Sequence, residues 1–211
     1  MNSRKLVNFF FKTLFLGGLA GLITSFFVKA EDYRTILNPL DLMELVGLVV
    51  FFVGLGLVFS IISQTGFFAY LFLNRLGLGI FKSYWPTVQL LLIAFVLFDL
   101  IYFPYKATEG EVSVWWYILM SAAILGYGLV IAKIKAKQTH KRAFVPALFL
   151  MIVMTTIEWI PGLTTEGTDY AWLMIITLLA CNTYQLLVLH RLSGSGSDQT
   201  KHTKKKTNRK K

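Results

Sequence analysis

Three acidic residues lie inside otherwise apolar stretches of this 211-residue chain: Glu44, Asp99 and Glu158. An ionised carboxylate in hydrocarbon is costly, so we expect these side chains to face protein or water. They could form an acidic cavity that binds a cation, relays protons or docks a partner. For Glu44 and Glu158 an ordinary interfacial position is the favoured alternative, because both lie near the ends of their stretches.

A polar run from Asn182 to Gln185 interrupts the last apolar stretch. Buried amide groups need hydrogen-bond partners, so we expect Asn182 and Gln185 to form hydrogen bonds to other helices. A ligand site is the less favoured interpretation.

No catalytic motif accompanies these residues. The sequence has no HExxH, GxSxG or paired acidic motif, and its one cysteine and three scattered histidines favour neither a disulfide nor a zinc site. We therefore expect no enzyme activity, no catalytic residue, no cofactor and no bound metal.

Apolar helices must position these side chains. The chain is 55% hydrophobic and 15% charged, with a mean hydropathy of +0.61, which exceeds what a soluble domain of this length can bury. A helix needs about 20 apolar residues to cross a bilayer. The predicted spans are 14–28, 42–62, 86–105, 115–132, 143–160 and 170–189. We predict an all-α, polytopic membrane protein whose six-span domain occupies residues 1–192.

The distribution of charge predicts the orientation of these spans in the cell membrane. With the amino terminus inside, 18 of the 21 Lys and Arg residues fall on the cytoplasmic side, and ten of the eleven acids fall on the outer side. This bias follows the positive-inside rule, so both termini are predicted to be cytoplasmic.

The first span has a competing interpretation. Val28-Lys29-Ala30 resembles a cleavage site after a signal-peptide core, and cleavage there would leave five spans. An uncleaved first span is favoured, because its basic region is long for a signal peptide.

Residues 67–81 are apolar but too short to cross a bilayer comfortably. We expect the helix to break at the polar residues 63–66 and to continue as a short interfacial or re-entrant helix on the cytoplasmic face, with its aromatic side chains in the acyl boundary.

Gly17 and Gly21 have the GxxxG spacing that allows two helices to approach closely. Packing within the bundle is the favoured interpretation, and docking to a transmembrane helix of another protein is the alternative.

The chain ends in a flexible linker, 193–197, followed by a run of basic residues. We call residues 193–211 the basic tail and predict that it is disordered. Each basic residue near an anionic membrane surface contributes about 1 kcal/mol, so anionic lipids are the expected partner rather than nucleic acid.

Three segments resemble the family of KinB-signalling pathway activation proteins of spore-forming Bacillus-type bacteria. They are TGFFAYLFLNRLGLGIFKSYWPTVQ at 65–89, IEWIPGL at 157–163 and NTYQLLVLHRL at 182–192. The resemblance implies a regulatory role at the start of sporulation, upstream of or together with a membrane sensor histidine kinase that feeds the phosphorelay. The rival hypothesis is a small proton- or ion-coupled transporter that uses the intramembrane carboxylates.

Overall fold

The computed structural model describes residues 3–38, 41–107, 112–163 and 168–207, and all regular structure in these ranges is helical. The helices are α1 (Ser3–Val28), α2 (Ala30–Leu37), α3 (Leu42–Phe81), α4 (Trp85–Ala107), α5 (Val114–Gln138), α6 (Phe144–Phe149), α7 (Thr155–Leu163) and α8 (Thr168–Thr207). Two short 3-10 helices, Lys82–Tyr84 and Lys141–Ala143, precede α4 and α6, and a π-helix, Leu150–Met154, joins α6 to α7. The predicted all-α class is confirmed.

Five helical segments in the described ranges are long and apolar enough to cross a membrane, by length and composition. They are Ser3–Val28, Leu42–Lys106, Val114–Gln138, Lys141–Gly162 and Asp169–His190. Every predicted span lies inside one of these segments. The segment Leu42–Lys106 contains two of them, because α3 and α4 follow one another through a single 3-10 helix.

The helix break expected at residues 63–66 is wrong. Helix α3 runs without interruption for 40 residues, which corresponds to about 60 Å. Ser63 and Gln64 are buried against other helices, and a polar side chain with protein partners does not require the helix to end. The separate interfacial helix over 67–81 is therefore absent.

The aromatic residues of this last part of α3 divide between two environments. Phe67 and Tyr70 are buried, and their rings lie 6.0 Å from Phe9 and 6.4 Å from Phe149, respectively. Phe68 is exposed. The expectation that the aromatic residues of 67–81 lie in the acyl boundary fails for the two that pack inside the protein.

A tight corner separates α3 from α4. Lys82 adopts a φ of 49°, which is uncommon for a residue with a side chain. Trp85 folds back onto Gly77, where a methyl group would overlap the indole ring. The indole Nε1 of Trp85 donates a hydrogen bond to Asn74 Oδ1 at 2.8 Å. The glycine and the asparagine together fix the start of α4 against the end of α3.

Helix α1 packs against both α3 and α8. Gly17 and Gly21 lie at its contact with α3, where Gly56 faces them. A methyl group at Gly21 would come within 2.7 Å of the Gly56 Cα atom, so the two backbones are in direct contact.

The segment from α6 to α7 is central in the structure. The side chains of the π-helix are all buried, and three of them, Leu150, Met151 and Ile152, have no exposed surface. Helix α6 packs against α4 and α5, whereas α7 packs against α8 and α3. This segment therefore connects the pair α4 and α5 to the pair α3 and α8.

An ion pair fixes the chain where α1 ends and α8 begins. The ammonium of Lys29 lies 2.9 Å from the Asp169 carboxylate and 5.2 Å from the centroid of the Tyr170 ring. The hydrogen bond to Asp169 raises the pKa of Lys29 above its usual value, because it stabilises the charged form.

Helix α8 includes residues 193–207 of the basic tail. The disorder of the basic tail stays a prediction, as does the boundary of the membrane domain at residue 192.

Candidate functional site

Five buried polar residues from three helices form one hydrogen-bonded group, which we call the polar cluster: Ser63 of α3, Thr155 and Glu158 of α7, and Asn182 and Gln185 of α8. Four of them have no exposed surface, and Glu158 is 6% exposed. The cluster is thus enclosed by the helices that carry it.

The hydrogen bonds of the polar cluster run in one direction. Gln185 Nε2 donates to Ser63 Oγ at 2.6 Å, and Ser63 Oγ donates to Asn182 Oδ1 at 2.8 Å. Asn182 Nδ2 then donates to Glu158 Oε2 at 2.7 Å and to Thr155 Oγ1 at 2.9 Å. The carboxyl group of Glu158 stands at the accepting end of this chain.

Two oxygens of the polar cluster have no hydrogen-bond partner among the described residues: Glu158 Oε1 and Gln185 Oε1. Glu158 Oε1 lies against the Cα atom of Gly66 in α3, where a methyl group would overlap it. Glycine at position 66 therefore allows α3 to contact the carboxyl group directly.

The π-helix sets the direction of the side chains that follow it. Thr155 Oγ1 donates a hydrogen bond of 3.2 Å to the carbonyl oxygen of Leu150, the first residue of the π-helix. A π-helix adds a residue to a helical turn and so rotates everything after it, and such insertions often occur at functional sites. Here the rotation places Thr155 and Glu158 towards α8.

A second buried polar group lies beside the cluster, between α3 and α1. Gln64 Nε2 donates to Ser60 Oγ at 3.3 Å, and Ser60 Oγ donates to the Thr13 carbonyl oxygen at 2.8 Å. The Cys181 thiol of α8 lies 3.9 Å from the same carbonyl. Neutral polar groups thus link α1, α3 and α8.

The predicted candidate residues fall into separate places. Glu158, Asn182 and Gln185 meet in the polar cluster. Asp99 is half-buried on α4 and makes no hydrogen bond to the described residues of the cluster. Glu44 is exposed in the first turn of α3, at the rim of an open cavity of about 510 Å³ that Asp32 also lines. The three acids therefore differ in exposure, and neither Glu44 nor Asp99 belongs to the polar cluster.

The donors in the polar cluster suit interhelical bonding better than catalysis. The Ser63 hydroxyl donates to an amide oxygen rather than to a base, so it is not set up as a nucleophile. Within the described ranges, no three His, Cys, Asp or Glu side chains come close enough together to hold a metal ion.

Comparison with known proteins identifies the family. A family model described as KinB-signalling pathway activation in sporulation, KbaA, matches residues 17–192. The "KinB-signaling pathway activation protein" of Bacillus subtilis (strain 168) is 40% identical over 197 residues, covering 92% of this chain and 99% of the relative. The chain belongs to this family. The resemblance indicated by residues 65–89, 157–163 and 182–192 is confirmed.

No solved structure matches the chain. The family model spans every residue of the polar cluster as well as Gly17, Gly21 and Gly56 at the contact between α1 and α3, whereas the basic tail follows its last matched residue. The polar cluster therefore lies within the region that matches the family model.

Ser63, Gly66 and Thr155 lie outside the candidate residues predicted from the sequence. The polar residues 63–66 predict a helix end, and no sequence motif marks Thr155. A signal was present, however, because Ser63, Thr155 and Asn182 each belong to a pair of polar residues spaced three apart on an apolar helix: Ser60 and Ser63, Thr155 and Glu158, Asn182 and Gln185. This spacing places both members on one helix face.

Proposed function

We propose that this chain is a membrane-embedded accessory protein that activates KinB signalling at the start of sporulation, by regulation and not by catalysis. The observation that carries the proposal is the family match over residues 17–192, together with a relative of nearly the same extent whose name states activation of the KinB-signalling pathway. The geometry of the polar cluster agrees, because it bonds helices to one another and presents no activated nucleophile.

Membrane insertion is supported by the surface of the helices. Large apolar side chains are exposed along the helices, for example Phe15, Phe95 and Leu119, and hydrocarbon is the solvent that tolerates them. The bias of basic residues supports six crossings with both termini in the cytoplasm, which requires α3 and α4 to cross separately.

The proposed partner is a membrane sensor histidine kinase. Binding to its transmembrane helices would favour one of its two signalling states only if the chain binds that state more tightly. An alternative route to activation is to help the kinase insert or remain in the membrane. In either case the basic tail would hold the cytoplasmic end of the chain at anionic lipids.

Genetic epistasis tests the regulatory role. Deleting the gene is expected to lower both sporulation and phosphorelay output, and a kinase variant locked in its active state should restore both. A regulator that acts through population shift becomes unnecessary once the equilibrium already lies on the active side. Normal sporulation after deletion, in a strain with this kinase as its only phosphate source, would contradict the proposal.

Capture from membranes tests the physical partner. The full chain carrying an affinity tag, purified in mild detergent, should retain the kinase. A matched control is the chain without residues 193–211, which keeps every helix of the family-matched region and so should retain the kinase as well. Absence of the kinase from both preparations would favour an indirect action.

The buried carboxyl group of Glu158 keeps an ion- or proton-coupled transporter as a second candidate. The two hypotheses differ in their response to Asp99→Asn. A transporter that uses both carboxyl groups should lose function in this variant and recover when its substrate is added or removed, whereas the regulator should tolerate the change.

A further inference from the structure

The carboxyl group of Glu158 is buried without a cation. Its exposed fraction is 6%, and no Lys, Arg or His of the described residues forms an ion pair with it. Buried charges in proteins are normally paired with an opposite charge or bound to a metal. Glu158 has neither kind of partner among the described residues.

The hydrogen bonds around Glu158 offer little in place of a cation. Its Oε2 atom accepts one hydrogen bond, from the neutral amide of Asn182. The same amide group also donates to Thr155, so both of its N–H bonds are in use. The Thr155 hydroxyl donates to the backbone of the π-helix and has no second hydrogen to give.

The second oxygen, Oε1, accepts no hydrogen bond from the part of the chain that the structure describes. It faces the Cα atom of Gly66, and no described atom donates a hydrogen bond to it. An ionised carboxylate can accept hydrogen bonds at both oxygens, whereas a neutral carboxylic acid carries a hydrogen on one of them. The surroundings of Glu158 therefore fit the neutral acid better than the anion.

Helix α3 and the π-helix present no opposite charge to Glu158. The charged residues of α3, Glu44 and Arg75, are both exposed, and its Tyr70 packs against Phe149. The π-helix, Leu150–Met154, contains no titratable residue.

Helix α8 is the third element that packs against α7. Its titratable residues up to residue 190 are Asp169, Tyr170, Cys181, Tyr184 and His190. Asp169 pairs with Lys29, and His190 lies beside Lys135. Cys181 carries a thiol and Tyr170 and Tyr184 carry phenols, none of which offers a positive charge. None of these described side chains of α8 brings a cation to Glu158.

We propose that Glu158, enclosed by Gly66, Thr155 and Asn182, is a proton-binding site. The helices pack as observed when the carboxyl group holds its proton. Loss of the proton would leave an unpaired charge in the protein interior, so deprotonation favours separation of α7 from α3 and α8. This site is independent of whether the chain acts on a kinase.

Infrared spectroscopy of the purified full chain in lipid nanodiscs tests the proposal directly. At neutral pH the spectrum should contain the C=O stretching band of a buried protonated carboxylic acid. Glu158→Gln should remove this band, because the amide has the same shape but no acid proton. Asp99→Asn is the matched control and should leave the band in place. A band that persists in Glu158→Gln would overturn the assignment.

Thermal unfolding across pH provides a second measurement, in a Cys181→Ala background that removes the neighbouring thiol. The proton is bound in the packed state and released more readily in the unfolded chain. The unfolding midpoint of the parent should therefore fall as the pH rises above about 4.3, the ordinary pKa of glutamate. Glu158→Gln should fold, and its midpoint should fall less over the same range. Equal losses in the two proteins would refute the proposal.

Discussion

Replacing Gly66 with alanine should destabilise the protein through a contact that involves one side chain. The added methyl group would lie 2.6 Å from Cδ and 2.9 Å from Cγ of Glu158, well inside the separation of atoms in ordinary contact, and would overlap Oε1. Overpacking of a well-packed interior costs about 1–3 kcal/mol. Alanine also favours a helix over glycine by about 1 kcal/mol, which offsets part of this loss.

Gly54→Ala is the matched control, because Gly54 lies on the same helix with nothing within 4 Å of the added methyl group. This variant should be as stable as the parent or up to about 1 kcal/mol more stable. The difference between the two alanine variants then measures the overlap alone, and we expect about 1–3 kcal/mol.

The assay is equilibrium unfolding of the purified chain in mixed micelles, followed by circular dichroism. The double variant Gly66→Ala with Glu158→Ala removes the overlapping side chain, so its loss should be smaller than the sum of the two single losses. Equal unfolding free energies for Gly66→Ala and Gly54→Ala would refute the close contact between α3 and Glu158.

Three further predictions address orientation, charge and lipid binding. In a cysteine-free background, a cysteine at Thr108 should react with an impermeant reagent outside intact cells, and one at Thr139 only after permeabilisation; the reverse pattern would invert the topology. Asp169→Asn should lower the pKa of Lys29, measured by NMR of the methylated lysine, because the Asp169 carboxylate raises this pKa in the parent. The ion pair should therefore be intact at neutral pH and be lost only when the pH rises past the raised pKa of Lys29. A peptide of the basic tail should bind anionic vesicles with an affinity that falls steeply as salt rises, and binding that ignores salt would exclude an electrostatic tether.

Hydropathy predicted the helices well, because a long apolar run has few other stable structures in a membrane. All six predicted spans fall inside helices, and Asn182 was expected to bond across helices, as it does to Ser63 and Glu158. The prediction of a helix end at the polar residues 63–66 is wrong because composition does not reveal which hydrogen-bond partners a side chain has. A polar residue such as Ser63 fits a helix end in water, and it also fits a continuous buried helix when its hydroxyl has a partner. Here that partner is the side-chain oxygen of Asn182.

The grouping of the acids was also beyond the sequence. Glu44 and Glu158 both lie near the ends of their apolar stretches, yet Glu44 is exposed and Glu158 is buried, and Asp99, farther inside its stretch, is half-buried. The burial of each acidic side chain depends on which face of its helix packs against another helix. That in turn depends on the rotation of the helix about its own axis. The π-helix shifts this rotation for Glu158, and apolar residues such as Leu150–Met154 give no local signal for it.

The π-helix also has a consequence for how single-residue deletions would act. A π-helical turn holds about one residue more than an α-helical turn, so deleting one residue within Leu150–Met154 would let the segment relax to a regular α-helix with nearly the same total rotation. Helix α6 would keep its place against α4 and α5, and Glu158 would still face Asn182. Without the deletion, regular α-helical geometry over the same residues would turn α7 by about 100° relative to α6. The extra residue of the π-helix thus sets the rotation of α7 relative to α6, so that one continuous helical segment packs against α4 and α5 at one end and against α3 and α8 at the other.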